Sequence, residues 1–126
     1  FNMVCMLTTA TLDATARDPG TRALVRTMML EAQAVAERLG VELPLDVDAR
    51  IRGAEAVGPH KPSTLVDLER GRPVEIDALV GSVVELGDLT GIPVPTIRAV
   101  YQAVKLLETT YLTPVLSVRL VQVDGS

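Results

Sequence analysis

The chain has 126 residues, 48% of them hydrophobic, and a positive mean hydropathy, enough to bury the core of one domain and too apolar for a disordered chain. Only Phe1, Tyr101 and Tyr111 are aromatic and Trp is absent, so Leu, Val, Ile, Ala and Met must fill that core. The lack of stacking platforms and a net charge of −4 argue against a nucleic-acid partner, and no apolar run approaches the roughly 20 residues that span a bilayer.

A single cysteine, Cys5, cannot form an internal disulfide or a Cys-based zinc set, which makes a reducing, cytoplasmic setting the expectation. The chain opens on Phe1 with no basic, signal-like stretch after it, so it is expected to be part of something longer.

Helical periodicity dominates from there. Asp18 suits an N-cap and Pro19 a first helical position, and Leu24, Met28, Ala32, Val35 and Leu39 form one face up to a stop at Gly40. A shorter helix is predicted from about Asp46 to Val57, opened by acidic residues and closed by Gly58-Pro59. After a loop from His60 to Ser63, Ser63 or Thr64 can cap a helix running to Glu69. Thr64 with Asp67 three residues on resembles a capping box. Pro73 is expected to open the next helix, buried through Ile76, Leu79, Val80, Val83 and Val84 and stopped by Gly91. Gly81 and Gly87 inside it each cost about 1 kcal/mol against Ala, tolerated more readily where another helix packs close. Pro93 and Pro95 break the chain, and Thr96 starts a last helix buried through Ile97, Val100, Tyr101, Val104 and Leu107. From Thr109 the pattern changes. Pro114 is expected to block continuation, and Val115 to Val123 reads as a strand, an extended arm or a poorly ordered tail.

The chemistry-bearing residues are few. His60 is the sole histidine, so no His-based metal set exists, and a Cys5–His60 nucleophile pair would need a long-range contact that nothing local supports. Neither GxGxxG nor a Walker loop occurs. Most carboxylates read as solvated helix faces. Glu75 and Asp77 sit where a helix N-terminus would favour negative charge and where a ligand could meet them, although plain stabilisation of the helix end explains them more simply. Ser63 is a capping hydroxyl or a ligand donor, and Asn2 needs a partner if buried.

The order of elements from Lys61 to Glu108 closely resembles the C-terminal helical domain of the ketopantoate reductase (2-dehydropantoate 2-reductase) family. The elements are Ser63, then Leu65 and Asp67, the Gly71-Arg72 turn, Glu75-Ile76-Asp77 and Gly91-Ile92-Pro93-Val94-Pro95, with twelve residues from Ser63 to Glu75. Residues 1–57 fit more loosely, through Asn2, a threonine-rich linker and the long second helix. The resemblance implies an all-α bundle of about six helices over residues 1–108, like the C-terminal domains of 6-phosphogluconate dehydrogenase-like reductases, followed by a tail over 109–126. It implies an NADPH-dependent reduction of a 2-oxo acid in pantothenate and coenzyme A biosynthesis. Asn2 and Ser63 would bind the substrate and Glu75 the cofactor near its nicotinamide end. An N-terminal Rossmann domain, absent from this chain, would bind most of the NADPH, and the family's proton-donating Lys would lie four residues before Asn2, upstream of Phe1. The isolated chain is therefore expected to be inactive. Met6 holds the place of the family's second Asn, which leaves a different 2-oxo acid open as substrate. A non-catalytic helical dimerisation module is the alternative from another class, and the glycine-containing helix faces suit a homodimer interface and a monomer core alike.

Overall fold

The computed structural model describes residues 1–42 and 46–124, with backbone alone from residue 112 onward. Seven α-helices follow in order: α1 (Asn2–Thr8), α2 (Leu12–Arg17), α3 (Pro19–Arg38), α4 (Val47–Val57), α5 (Ser63–Glu69), α6 (Ser82–Thr90) and α7 (Pro95–Asp124). A π-helical turn, Asp77–Gly81, leads directly into α6. The described residues contain no strand, and the all-α reading holds. Among them no helix is long and apolar enough to cross a membrane.

Local signals place most helix ends. Asp18 accepts a hydrogen bond from the Thr21 N–H at 2.9 Å, with Pro19 at the first helical position of α3. Asp46 does the same for α4 through Ala49 at 3.1 Å. Gly40 and Gly91 close α3 and α6 with positive φ, where a side chain would be strained.

Three expectations at element boundaries are corrected. Helix α5 starts at Ser63 with Pro62 in the cap position, so no side chain caps it. Thr64 is turned inward and buried, and Asp67 pairs with Arg72 at 3.3 Å instead of completing a capping box. Pro73 does not open the next helix. Residues 72–75 are non-helical and the helix begins only at Ile76; the Val74 carbonyl is turned onto the Ile76 N–H at 2.8 Å, and the Val74 N–H is held by Glu108 of α7 at 2.9 Å. Beyond Thr109 the backbone stays helical to Asp124, so the strand and the arm are both replaced. Pro114 removes one N–H, at a cost of about 3 kcal/mol inside a helix, without ending it. Residues 125–126 of that tail lie outside the described residues.

The main core draws Met3, Cys5 and Met6 from α1, Val35 from α3, Leu65 and Leu68 from α5, and Val80 and Val84 from the π turn and α6. Val74 and Ile76 join it from the segment before the π turn, and Val94, Ile97, Val100 and Val104 from α7 and the loop before it. A smaller cluster joins Ala16 of α2 to Val47, Ile51 and Ala54 of α4, with Phe1, Leu12 and Met29 against it. The aliphatic core read from composition is what fills the fold. Two stripe positions differ. Leu39 lies at the C-cap of α3 and is 49% exposed, while Val25, one place off the expected face, is buried. Leu79 is 52% exposed, because the extra residue of the π turn rotates the stripe.

Both helix glycines are closely approached, Gly81 by helix α7 as expected and Gly87 by the loop before α7 and not by another helix. A Cβ on Gly81 would lie 3.1 Å from the Tyr101 ring, and one on Gly87 would lie 3.0 Å from Val94 Cγ2 and 3.1 Å from the Ile92 carbonyl oxygen.

Candidate functional site

Asn2 is exposed at the first position of α1 and lines an open cleft of about 470 Å³. Its walls are mostly apolar, including Leu12, Met28, Met29 and Leu79, with Arg50 of α4 as the cationic group. Methionines give such a wall adaptable shape. Among the described residues the Asn2 amide makes no side-chain hydrogen bond, and Arg50 has no ion-pair partner. Sequence reading did not single out Arg50. It sits in an ordinary amphipathic helix, and only the packing of α4 on α2 and α3 brings it to the cleft.

Ser63 is exposed at the start of α5. With no capping bond from its hydroxyl, that group is free to meet a ligand. Helices α1 and α5 pack against each other, so Asn2 and Ser63 stand on neighbouring elements, but Ser63 does not line the Asn2 cleft. Met6 is 0% exposed and contributes to the core. The position of the second family Asn thus faces inward in this fold.

Glu75 is exposed on the extended segment between α5 and the π turn. Val74 and Ile76 on either side are buried, and this alternation turns Glu75 outward. It is not among the residues lining the Asn2 cleft, and the structure does not gather Asn2, Ser63 and Glu75 into one cavity.

Beside Glu75 lies a cluster that sequence reading missed. The Tyr101 hydroxyl donates to the Asp77 carboxylate, Lys105 Nζ sits 3.1 Å from the same Asp77 oxygen, and Lys105 lies over the Tyr101 ring at 5.4 Å. The Tyr101 hydrogen bond, and then Lys105, hold the Asp77 carboxyl below its ordinary range. The Asp77 carboxylate in turn raises the Lys105 ammonium above its own. Asp77 is 24 residues from Tyr101, so the only sequence signal was Gly81, whose missing Cβ makes room for the ring.

The remaining candidates fall away as chemistry. Cys5 is buried, with Sγ 3.4 Å from Thr15 Oγ1, whereas His60 is exposed in the loop where its carbonyl accepts from the Leu12 N–H. Among the described residues no group of three His, Cys, Asp or Glu side chains could hold a metal ion.

Comparison with known proteins follows the same lines. A curated 2-dehydropantoate 2-reductase of Mesorhizobium japonicum is 61% identical over 107 residues, covering 85% of this chain and 33% of that protein. The chain thus spans about a third of the length of the curated relatives it matches. Among solved structures, a PanE/ApbA family ketopantoate reductase from Ralstonia eutropha superposes with a TM-score of 0.80 at 39% identity, covering 88% of this chain and 38% of that one. A D-mandelate dehydrogenase, solved with NADH and anilino(oxo)acetate, superposes with a TM-score of 0.77 at 25% identity, over 87% of this chain and 47% of that one. The model of the family described as ketopantoate reductase PanE/ApbA C terminal matches residues 1–108, from the Asn2 helix through the Glu108 that holds Val74, and the chain belongs to that family.

Proposed function

We propose that this chain is the helical, substrate-side part of an NADPH-dependent reductase that converts 2-dehydropantoate to pantoate in the cytoplasm, in pantothenate and coenzyme A biosynthesis. The observation that carries the reading is the 61% identity to a curated 2-dehydropantoate 2-reductase. In this reading Asn2 and Ser63 hydrogen-bond the polar groups of the 2-oxo acid, and the Glu75 carboxylate accepts a hydrogen bond from the cofactor near its nicotinamide end. What favours these roles is that all three side chains are exposed and, among the described residues, unengaged by other side chains or caps. NADPH supplies the hydride, and the contribution of Asn2 and Ser63 is to hold the carbonyl carbon in line and meet the charge that develops on its oxygen. The proton for that oxygen comes from a lysine four residues before Asn2, outside this chain. The all-helical described residues offer no glycine-rich dinucleotide cradle, so a separate Rossmann domain holds the rest of the cofactor, with a homodimer as the assembly.

Two measurements test this. The isolated 126-residue chain is expected to show no NADPH turnover with any 2-oxo acid, and measurable turnover would sink the division of labour. The full-length protein is expected to reduce 2-dehydropantoate with a kcat/KM orders of magnitude above other 2-oxo acids. The likeness to D-mandelate dehydrogenase favours a second reading, a 2-oxo acid of different side chain, which that same panel would establish if another acid wins.

A further inference from the structure

Glu75 stands on a segment that is clamped from both sides by one helix. On the N-terminal side, Glu108 Oε2 of α7 accepts the Val74 N–H at 2.9 Å, across 34 residues of sequence. On the C-terminal side, Asp77 is held by Tyr101 and Lys105, two turns and one turn earlier on α7 than Glu108. Between these anchors the backbone has little freedom. The Ile76 N–H closes a three-residue turn onto the Val74 carbonyl at 2.8 Å, and the Leu79 N–H takes the Glu75 carbonyl at 3.0 Å. Val74 and Ile76 are buried in the main core, which leaves Glu75 the one side chain of the three facing out.

This arrangement exceeds what a loop end requires. Backbone groups at the start of a helix are ordinarily satisfied by solvent or by a local cap, yet here three polar side chains of α7 converge on Val74 and Asp77, which flank Glu75 and Ile76. We propose that Glu108, Tyr101 and Lys105 are positioning residues for Glu75, fixing the register in which its carboxylate meets the cofactor. The inference rests on the reading of Glu75 as a cofactor contact.

The experiment uses the full-length protein, with the dissociation constant for NADPH read by fluorescence titration and amide exchange followed over residues 72–79. Glu108→Ala is expected to weaken NADPH binding by about tenfold, the scale of one charge-assisted hydrogen bond, and to speed exchange at Val74. Glu108→Gln, whose side-chain carbonyl can still accept from Val74, is expected to restore binding. Tyr101→Phe, which keeps the ring beside Gly81 and removes only the hydroxyl, should weaken binding by a smaller factor. Asp46→Ala removes the α4 cap and so controls for loss of stability alone; it should lower the melting temperature without moving the NADPH constant. If Glu108→Ala leaves NADPH binding at the level of Asp46→Ala, the positioning role is overturned. Glu75→Ala, which removes the acceptor altogether, separates the two layers. If it binds NADPH like the unmodified protein, the reading of Glu75 fails and this inference with it; if it weakens binding while Glu108→Ala does not, only the positioning role fails.

Discussion

At Gly87 the helix backbone passes so near the following loop that the identity of one residue decides the packing. Replacing Gly by Ala inside a helix ordinarily gains about 1 kcal/mol. Here the new methyl would lie 3.1 Å from the Ile92 carbonyl oxygen and 3.0 Å from Val94 Cγ2, and a backbone carbonyl cannot step aside as a flexible side chain can. Overpacking of this kind costs about 1–3 kcal/mol, so the clash outweighs the propensity gain. Gly87→Ala is expected to lower the denaturant midpoint. Gly53, also inside a helix, has open space where a Cβ would stand, with nothing within 4 Å, and Gly53→Ala is expected to raise that midpoint by the equivalent of about 0.5–1 kcal/mol. Equal shifts at both positions would contradict the account.

The junction between the π turn and α7 shows where sequence reading succeeds and where it stops. Asp18, Pro19, Gly40, Asp46 and Gly91 act on amides and dihedrals within a few residues of themselves, so their helix ends were legible. Pro73 was misread because Val74 turns its carbonyl onto the Ile76 N–H while its own N–H is held by Glu108, a partner 34 residues away. The candidate site divides in the same way. Asn2, Ser63 and Glu75 were found through motif order and prove exposed, but the Asp77–Tyr101–Lys105 contact had no local trace beyond a glycine. That contact carries a pH signature. Asp77 titrates below its ordinary value of 3.8 when folded, so its contribution is fully present above the unfolded carboxyl range and is lost as pH falls through the lower folded value. Lys105 is raised above 10.5, so its contribution is present below that value and lost only as pH climbs beyond it. The junction is therefore intact across neutral pH. Tyr101→Phe is expected to flatten the acid limb of the melting-temperature profile below about pH 4, near the unperturbed Asp value, and to leave its slope near neutrality unchanged. A steeper acid limb would contradict the assignment.

The described residues form two apolar clusters, and Leu12 packs against both. The other links between the small α2–α4 unit and the rest include surface ion pairs such as Arg26–Asp48 at 3.1 Å and Arg22–Glu55 at 3.8 Å, a class of contact worth about 0–1 kcal/mol. Leu12→Ala is expected to cost about 2 kcal/mol, the low end of the range for such truncations because the side chain is only partly buried. The α2–α4 unit should lose amide protection ahead of the α7 core. Uniform loss of protection across both clusters would show that the small unit does not depend on this side chain. The cleft lined by Asn2 is bordered by residues from both clusters, so its shape depends on their staying in register.

Glu31 links the two longest helices in a further way. Its carboxylate accepts from the Thr96 and Ile97 N–H groups at 2.9–3.2 Å, across 65 and 66 residues of sequence. The first turn of α7 thus obtains its acceptor from α3 and not from a residue beside it. A helix end satisfied from so far away gains that bond only after the intervening chain has closed, so the loop-closure entropy is spent first. The order of events during folding follows: α3 and its Asp18 cap can form locally, whereas the start of α7 consolidates when the two helices dock. The same bond then acts mainly as a brake on unfolding rather than as an aid to folding.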